Sequence, residues 1–192
     1  EIWSSLVGSE LCIRDSFNRG VSYAPSSQIL QLTQKQKRPH FSQLFAVQNP
    51  TEDLIYADLE VETIRHDFNS SQVLIRKDAS ETKVKTNHHF QSSHCSHFSC
   101  HGNFNFGLAY ASGLSLAKDD SQEDSQLTLA EIFGLNLGQC RLVTLSACET
   151  GLTKLNSLSD EYIGLPSGFI FAGSPSVVCS LWTLDQVSTA FL

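Results

Sequence analysis

Short apolar runs alternate with helix-forming segments along most of this chain, and that alternation limits the folds that the chain can adopt. The predicted strands are 20–25, 41–47, 72–75, 93–100, 141–145 and 176–182. The predicted helices are 27–37, 52–68, 80–90, 160–171 and 185–192, with a further short helix starting at 128. Strands that alternate with helices in this way build an α/β fold with a mostly parallel sheet. The sequence therefore predicts that fold class.

Two segments carry clear helix signals. Between 52 and 68, apolar residues recur at spacings of three and four and therefore share one helix face: Leu54, Ala57, Val61, Ile64 and Phe68. The charged residues between them are predicted to face water: Glu52, Asp53, Glu60, Glu62 and Arg65. Thr128 and Glu131 have the spacing of a capping box, which predicts that a helix starts there.

The composition indicates a globular domain and argues against two classes of partner. Among 192 residues, 41% are hydrophobic and 17% are charged, as in a protein with a buried core. The net charge is -7 and no basic stripe is present, so we expect no nucleic-acid partner. No apolar run approaches the roughly 18 to 20 residues that span a bilayer, so we expect no membrane association.

The termini and the cysteines bear on where the chain functions. Residues 1–17 have no basic region ahead of an apolar core, so we expect no secretory signal and a cytoplasmic location. The six cysteines are then better interpreted as reduced thiols than as disulfides. The sequence contains no methionine, which favours an excised segment of a longer protein.

Two of the predicted strands end next to chemically reactive side chains. His101 follows the strand at 93–100, and Cys148 comes shortly after the strand at 141–145. The two strands are separated by a crossover that contains a helix, as parallel neighbours would be. Open α/β sheets bind their ligands at the carboxyl ends of such strands. The sequence therefore predicts an imidazole and a thiol at one edge of the sheet.

An imidazole beside a thiol is the pair that acyl transfer by a cysteine needs. The thiolate is the nucleophile, and a histidine can take its proton and later return it to a leaving amine. The backbone N–H groups of Gly102 and Cys148 are candidate donors to the oxyanion. The alternative is structural, with Cys148 as a buried thiol that packs like a small hydrophobe and His101 as a solvated strand-end histidine.

The motifs around these two residues resemble those of a known family. The sequences HFSCHG at 97–102 and LSACETG at 145–151 resemble the two signature motifs of the CHAT domain. Further segments also resemble the family pattern: SYAPS at 22–26, QNP at 48–50, SGL at 112–114, LTLAEI at 127–132, GSPSVV at 173–178 and LW at 181–182. The resemblance extends over about 21–192.

The resemblance implies a caspase-like three-layer α/β sandwich with a mostly parallel central sheet. It also implies that His101 is the general base, that Cys148 is the nucleophile, and that the N–H groups of Gly102 and Cys148 form the oxyanion hole. CHAT domains are caspase-like cysteine peptidases, abundant in cyanobacteria and often found beside tetratricopeptide repeats. Residues 1–20 match poorly and are interpreted as a remnant. The domain at 21–192 is expected to lack the last elements of the family fold.

Asp160 and Glu161 follow the predicted nucleophile and have two interpretations. They can simply open the helix at 160–171, because acidic side chains stabilise a helix amino terminus. Alternatively, one of them lines the specificity pocket and selects a basic side chain before the cleaved bond.

Histidines and cysteines cluster ahead of the first motif and raise the question of a metal site. The cluster consists of His88, His89, His94, Cys95, His97, Cys100 and His101. Cys95 and Cys100 are five residues apart, so on a strand they point to opposite faces. We therefore expect no zinc site and no other cofactor, with His97 packing beneath the sheet edge.

The sequence thus predicts a cysteine endopeptidase that acts on a protein or peptide substrate. The resemblance further implies that its activity is regulated by a partner or by a tetratricopeptide-repeat region in the same or another chain. Other interpretations stay open: the chain is a catalytically silent protein-interaction module or an inactive fragment of a CHAT protein, or it is a redox-sensing thiol protein.

Overall fold

The computed structural model describes residues 23–38, 40–119, 125–147, 150, 154–156 and 159–180. Its strands are β1 (Gln43–Gln48), β2 (Ser70–Ile75), β3 (Cys95–Ser99), β4 (Gly102–Asn103), β5 (Gly113–Ser115), β6 (Gln126–Thr128), β7 (Leu142–Ser146), β8 (Lys154–Asn156), β9 (Ser159–Ile163) and β10 (Val177–Cys179). Its helices are α1 (Ser27–Lys35), α2 (Ala57–Arg65), α3 (Glu81–Lys85), α4 (His88–Ser92), α5 (Leu129–Ile132) and α6 (Leu165–Phe171).

Five of these strands form a central sheet in the order β10-β7-β3-β1-β2. Every neighbouring pair in this sheet is parallel. The predicted α/β class with a mostly parallel sheet is therefore confirmed. Strand β3 lies in the middle and is buried along its whole length.

Helices cover both faces of the sheet. On one face, Val61 of α2 packs with Leu44, Ala46 and Cys95 in a small apolar cluster. On the other face, a larger core joins the sheet to α3, α4, α5 and α6, and Phe98 lies within it. Successive residues of a strand point to opposite faces, so β3 contributes to both layers.

The Phe98 ring contacts three other aromatic rings of the larger core. Its centroid lies 6.4 Å from that of Phe45, 5.7 Å from that of Phe90 and 5.8 Å from that of Phe169. These rings come from β1, α4 and α6, so one side chain of β3 joins the sheet to two helices. Aromatic contacts at these separations add to the free energy gained by apolar burial.

The capping box at Thr128 is confirmed. The Thr128 hydroxyl accepts from the Glu131 backbone N–H, and the Glu131 carboxylate accepts from the Thr128 backbone N–H. Helix α5 begins at the next residue, Leu129.

Two predicted helices differ from the structure because local hydrogen bonds override the apolar pattern. The helix predicted at 52–68 begins only at Ala57, since the Asn49 side chain holds the preceding residues in a loop. The helix predicted at 80–90 is divided into α3 and α4, because Asn87 accepts from the Phe90 N–H and caps a new helix.

Other boundaries shift by a few residues, and some predictions lie outside the described part of the chain. The strand predicted at 20–25 is not one over 23–25, and its first residues are not described. The strand at 176–182 is observed as Val177–Cys179, whereas 181–192, with the last predicted helix, lies outside the described residues. No helix in the described ranges is both long and apolar enough to cross a membrane.

Replacing Phe98 with alanine is expected to lower the free energy of unfolding by about 3–5 kcal/mol, because the ring is fully buried and its loss leaves a cavity. Phe106 is 65% exposed, so Phe106→Ala is the matched control and is expected to cost under about 1 kcal/mol. Urea unfolding measures both. Equal losses would contradict the assignment of Phe98 to the centre of the core.

Candidate active site

The strands that lead to His101 and towards Cys148 are parallel neighbours. In the β3–β7 pair, Ser99 lies opposite Ser146. His101 is two residues beyond Ser99, and Cys148 is two residues beyond Ser146. The prediction that both strands end at one edge of the sheet is therefore confirmed. Cys148 itself lies outside the described residues.

His101 is held by its backbone and contacts an acid through its ring. Its carbonyl oxygen accepts from the Ser115 N–H at 2.8 Å. Its side chain is 39% exposed, and Nε2 lies 3.0 Å from each carboxylate oxygen of Asp53. The imidazole is thus accessible to solvent while one of its nitrogens is occupied.

Gly102, the first candidate oxyanion donor, begins β4. It lies opposite Leu114 in the antiparallel β4–β5 pair. The bond from Ser115 to the His101 carbonyl makes this a non-hydrogen-bonded pair. In such a pair the N–H groups point away from the partner strand. The N–H of Gly102 is therefore directed away from β5.

The carbonyl oxygen of Ala147, directly before Cys148, is held by two hydroxyl groups. Thr150 donates its hydroxyl to this oxygen at 3.1 Å, and Ser180 donates its hydroxyl at 2.6 Å. Ser180 directly follows β10, the neighbour of β7 in the sheet. These two hydrogen bonds therefore hold the backbone at Ala147, the residue before the predicted nucleophile.

Asp53 lies on a constrained loop after β1. The Asn49 amide donates to the Leu54 carbonyl at 3.0 Å, and its oxygen accepts from the Leu54 N–H at 3.0 Å. The Asn49 N–H also donates to the Ser99 carbonyl at 2.9 Å, which ties this loop to β3. Asn49 and Glu52 have positive φ angles of 48° and 66°, so the loop makes a sharp reversal.

The charge of Asp53 is favoured by its neighbours. Thr51 donates its hydroxyl to the Asp53 carboxylate. This hydrogen bond, together with the contact to His101, lowers the pKa of Asp53 below its ordinary value. Asp53 is therefore a carboxylate at neutral pH and can act only as an acceptor. The helical periodicity predicts a solvent-facing helix position for Asp53 and does not indicate this contact.

A buried polar cluster lies on the α2 face of the sheet below the edge. His97 is buried on β3, and its Nε2 lies 3.3 Å from Oε1 of Glu60, a close polar contact outside hydrogen-bond geometry. Ser99 donates its hydroxyl to Oε2 of Glu60 at 2.7 Å. His97 thus packs beneath the edge, as expected.

The prediction that Glu60 faces water is wrong, because its side chain is only 13% exposed. Glu60 is three residues after Ala57 and four before Ile64, so it shares their buried helix face. Burial by itself raises the pKa of Glu60. Contacts with His97, Ser146 and Ser99 outweigh burial, so the pKa lies below its ordinary value.

Asp160 and Glu161 lie on a strand, not at the start of a helix. They belong to β9, which pairs antiparallel with β8. The helix begins later, at Leu165, with Pro166 in its first turn, where proline is favoured. Local sequence suggested the helix, but pairing with β8 fixes the strand. The side chains of both acids lie outside the described part of the structure.

The described cysteines are not suited to nucleophilic chemistry. Cys95, Cys100, Cys140 and Cys179 are unpaired, and burial raises the pKa of each thiol. The pKa rises to about 12 for Cys95 and to about 11 for Cys179. These four thiols are therefore protonated near neutral pH, and a thiol is a weak nucleophile.

The geometry offers no metal centre within the described ranges. No group of three or more histidine, cysteine, aspartate or glutamate side chains there could hold an ion. Cys95 packs on the α2 side of the sheet and Cys100 in the opposite core, as their spacing predicted.

Comparison with protein families identifies the family of this domain. The family model of the CHAT domain matches residues 15–192. The chain belongs to the CHAT domain family. This family is caspase-like, and the parallel five-stranded sheet fits a caspase-like α/β fold. A search of curated proteins finds no match to the chain.

Changing Glu60 to glutamine is expected to lower the free energy of unfolding at pH 7 by roughly 1–3 kcal/mol, because hydrogen bonds to a buried charge are lost. The folded-state pKa of Glu60 lies below its ordinary value of 4.5. The stabilisation is therefore complete above about pH 4.5 and is lost as the pH falls through the folded-state value. The variant should lose less stability than wild type across that acidic range.

Glu62→Gln on the same helix is the control for this change. Glu62 pairs with Arg65 at 2.7 Å, but both side chains are well exposed. We expect a cost under about 0.5 kcal/mol at pH 7, as for other surface pairs. Urea unfolding from pH 3 to pH 7 measures both variants, and a Glu60→Gln curve parallel to wild type would contradict the account of this carboxylate.

Proposed function

We propose that this CHAT domain is a cysteine endopeptidase in which His101 is the general base and Cys148 is the nucleophile. One observation carries the proposal, the parallel pairing of β3 and β7 with Ser99 opposite Ser146. Adjacent strands lie about 4.8 Å apart. His101 and Cys148 follow these matched positions by the same number of residues, which supports the proposal that both reach one substrate bond.

The reaction follows from the chemistry of the two groups. His101 takes the thiol proton of Cys148, and the sulfur attacks the carbonyl carbon of the scissile peptide bond. The tetrahedral intermediate collapses by breaking the C–N bond, and the imidazolium gives its proton to the leaving amine. Water then attacks the thioester with His101 as base, which releases the new carboxyl end and restores the thiol.

The oxyanion of the intermediate needs two donors. The N–H of Gly102 points away from β5, which supports its assignment as one of them. The N–H of Cys148 is the second. The hydroxyl groups of Thr150 and Ser180 support this assignment, because they fix the Ala147 carbonyl on the preceding residue. Preorganised donors of this kind stabilise the charge that develops in the transition state.

The proposed substrate is a protein or peptide, and the peptidase activity is regulated by another domain or chain. A tetratricopeptide-repeat region in the same or a partner chain is the proposed regulator. The proposed location is the cytoplasm of a bacterium, with a CHAT domain of the cyanobacterial type. The chain is proposed to be part of a longer CHAT protein. The chemistry described needs no cofactor.

A peptide carrying a thiol-directed acyloxymethyl ketone tests the catalytic pair. Wild type is expected to be labelled, whereas Cys148→Ala and His101→Ala lose labelling by at least about 10²-fold, because nucleophile or base is absent. Cys179→Ala is the control and should label as wild type does, since burial raises the pKa of that thiol.

Mass spectrometry of the labelled protein measures the site and extent of reaction. Equal labelling of all variants, or no labelling of the wild type, would contradict the peptidase and favour an interaction module. A reversible disulfide at Cys148 without alkylation by the probe would favour the redox alternative.

Asp160→Asn and Glu161→Gln test the proposed specificity for a basic side chain. One of the two is expected to lower kcat/KM for substrates with Arg or Lys before the cut by on the order of tenfold, because it removes the charge that selects them. Cleavage of a matched Leu substrate should not change. Unchanged ratios in both variants would eliminate this specificity role.

A further inference from the structure

We propose that Asp53 is a positioning residue that holds His101 for proton transfer. Acid, imidazole and thiol would then come from the ends of three neighbouring strands. This inference rests on the proposed peptidase function and adds a third group to its catalytic pair.

The contact determines which nitrogen of His101 can act as base. Nε2 lies 3.0 Å from both oxygens of the Asp53 carboxylate. A carboxylate only accepts hydrogen bonds, so Nε2 must carry the proton in the neutral ring. The lone pair is then on Nδ1. Nδ1 is therefore the atom that takes the proton of Cys148.

The sheet order places the three groups in a chemically sensible sequence. Strand β3, which leads to His101, lies between β1 and β7. Asp53 follows β1, and Cys148 follows β7. The imidazole thus contacts the acid that follows one flanking strand, and the other flanking strand leads to Cys148. This is the order that a base with an orienting partner requires.

The Asp53 loop is built to keep the acid in place. The Asn49 side chain binds both the N–H and the carbonyl of Leu54, and the Asn49 backbone binds Ser99. Thr51 holds the carboxylate itself. A group that is fixed before substrate binds does not lose freedom during the reaction, which favours the correct geometry.

The partial exposure of the pair indicates what Asp53 contributes. His101 is 39% exposed and Asp53 is 60% exposed, so water screens the attraction between their charges. Screening does not change which nitrogen carries the proton or how the ring is turned. We therefore expect Asp53 to act on orientation and tautomer, and to contribute little to stability.

Asp53→Asn and Glu52→Gln form a matched pair of variants. Each removes one negative charge from the same loop, but only Asp53 contacts His101. An asparagine can donate to Nε2 and so favour the wrong tautomer. We expect Asp53→Asn to slow alkylation of Cys148 by the ketone probe, in which sulfur displaces the carboxylate leaving group, between about tenfold and 10³-fold, while the probe concentration that gives half the maximal rate stays unchanged. Glu52→Gln should stay within about twofold of wild type.

Two further measurements separate positioning from a general structural effect. Asp53→Glu restores a carboxylate and should recover part of the rate. Nitrogen-15 NMR of the imidazole should show a slowly exchanging Nε2 proton on His101 in the wild type and in Glu52→Gln. That signal should be lost in Asp53→Asn.

The outcomes distinguish this inference from the proposed function. Labelling of wild-type Cys148, with Asp53→Asn as fast as Glu52→Gln, would overturn the role of Asp53 and leave the peptidase intact. Absence of labelling in the wild type would overturn the peptidase and this role with it. An Nε2 proton signal that persists in Asp53→Asn would also overturn the role of Asp53, whatever the rates.

Discussion

The pairing of β3 with a parallel strand on each side is the constraint on which the rest of this molecule depends. Its backbone bonds fix β3 in register with β7 and with β1. Both faces of β3 are buried, so a shift of the register by one residue would move Phe98 out of the aromatic core and a polar neighbour, His97 or Ser99, into it. Packing throughout the domain therefore sets where the three strands end relative to one another. The residues of the candidate site follow these strand ends, so the same packing positions them.

Strand β3 also joins two layers of different character. Phe98 points into an aromatic core, whereas His97 and Ser99 face α2 and contact Glu60. Helix α2 reaches the next strand as well, because Gln48 of β1 donates to Asp58 at 2.8 Å. The β1–α2 loop that carries Asp53 is thus anchored at both ends. The buried polar cluster stabilises the fold and holds this loop against the sheet edge.

The sequence predicted those features that depend on local pattern. Apolar runs identified the strands before His101 and Cys148, and the Thr128–Glu131 spacing identified a helix start. The features that were missed depend on contacts between distant parts of the chain. The hydrogen bond from Leu54 to the Asn49 side chain holds a loop, so α2 starts only at Ala57. Pairing with β8 makes 159–163 a strand. The contact of Asp53 with His101 joins residues 48 positions apart, and no local periodicity reveals it.

The most direct test of the catalytic account is a crystal structure of the protein at neutral pH, with the distance measured between Sγ of Cys148 and Nδ1 of His101. The account predicts about 3 to 4 Å, or a separation bridged by one water, with Nε2 still on Asp53. A Cys148 sulfur sealed in the core, or an imidazole turned away across the sheet, would contradict it.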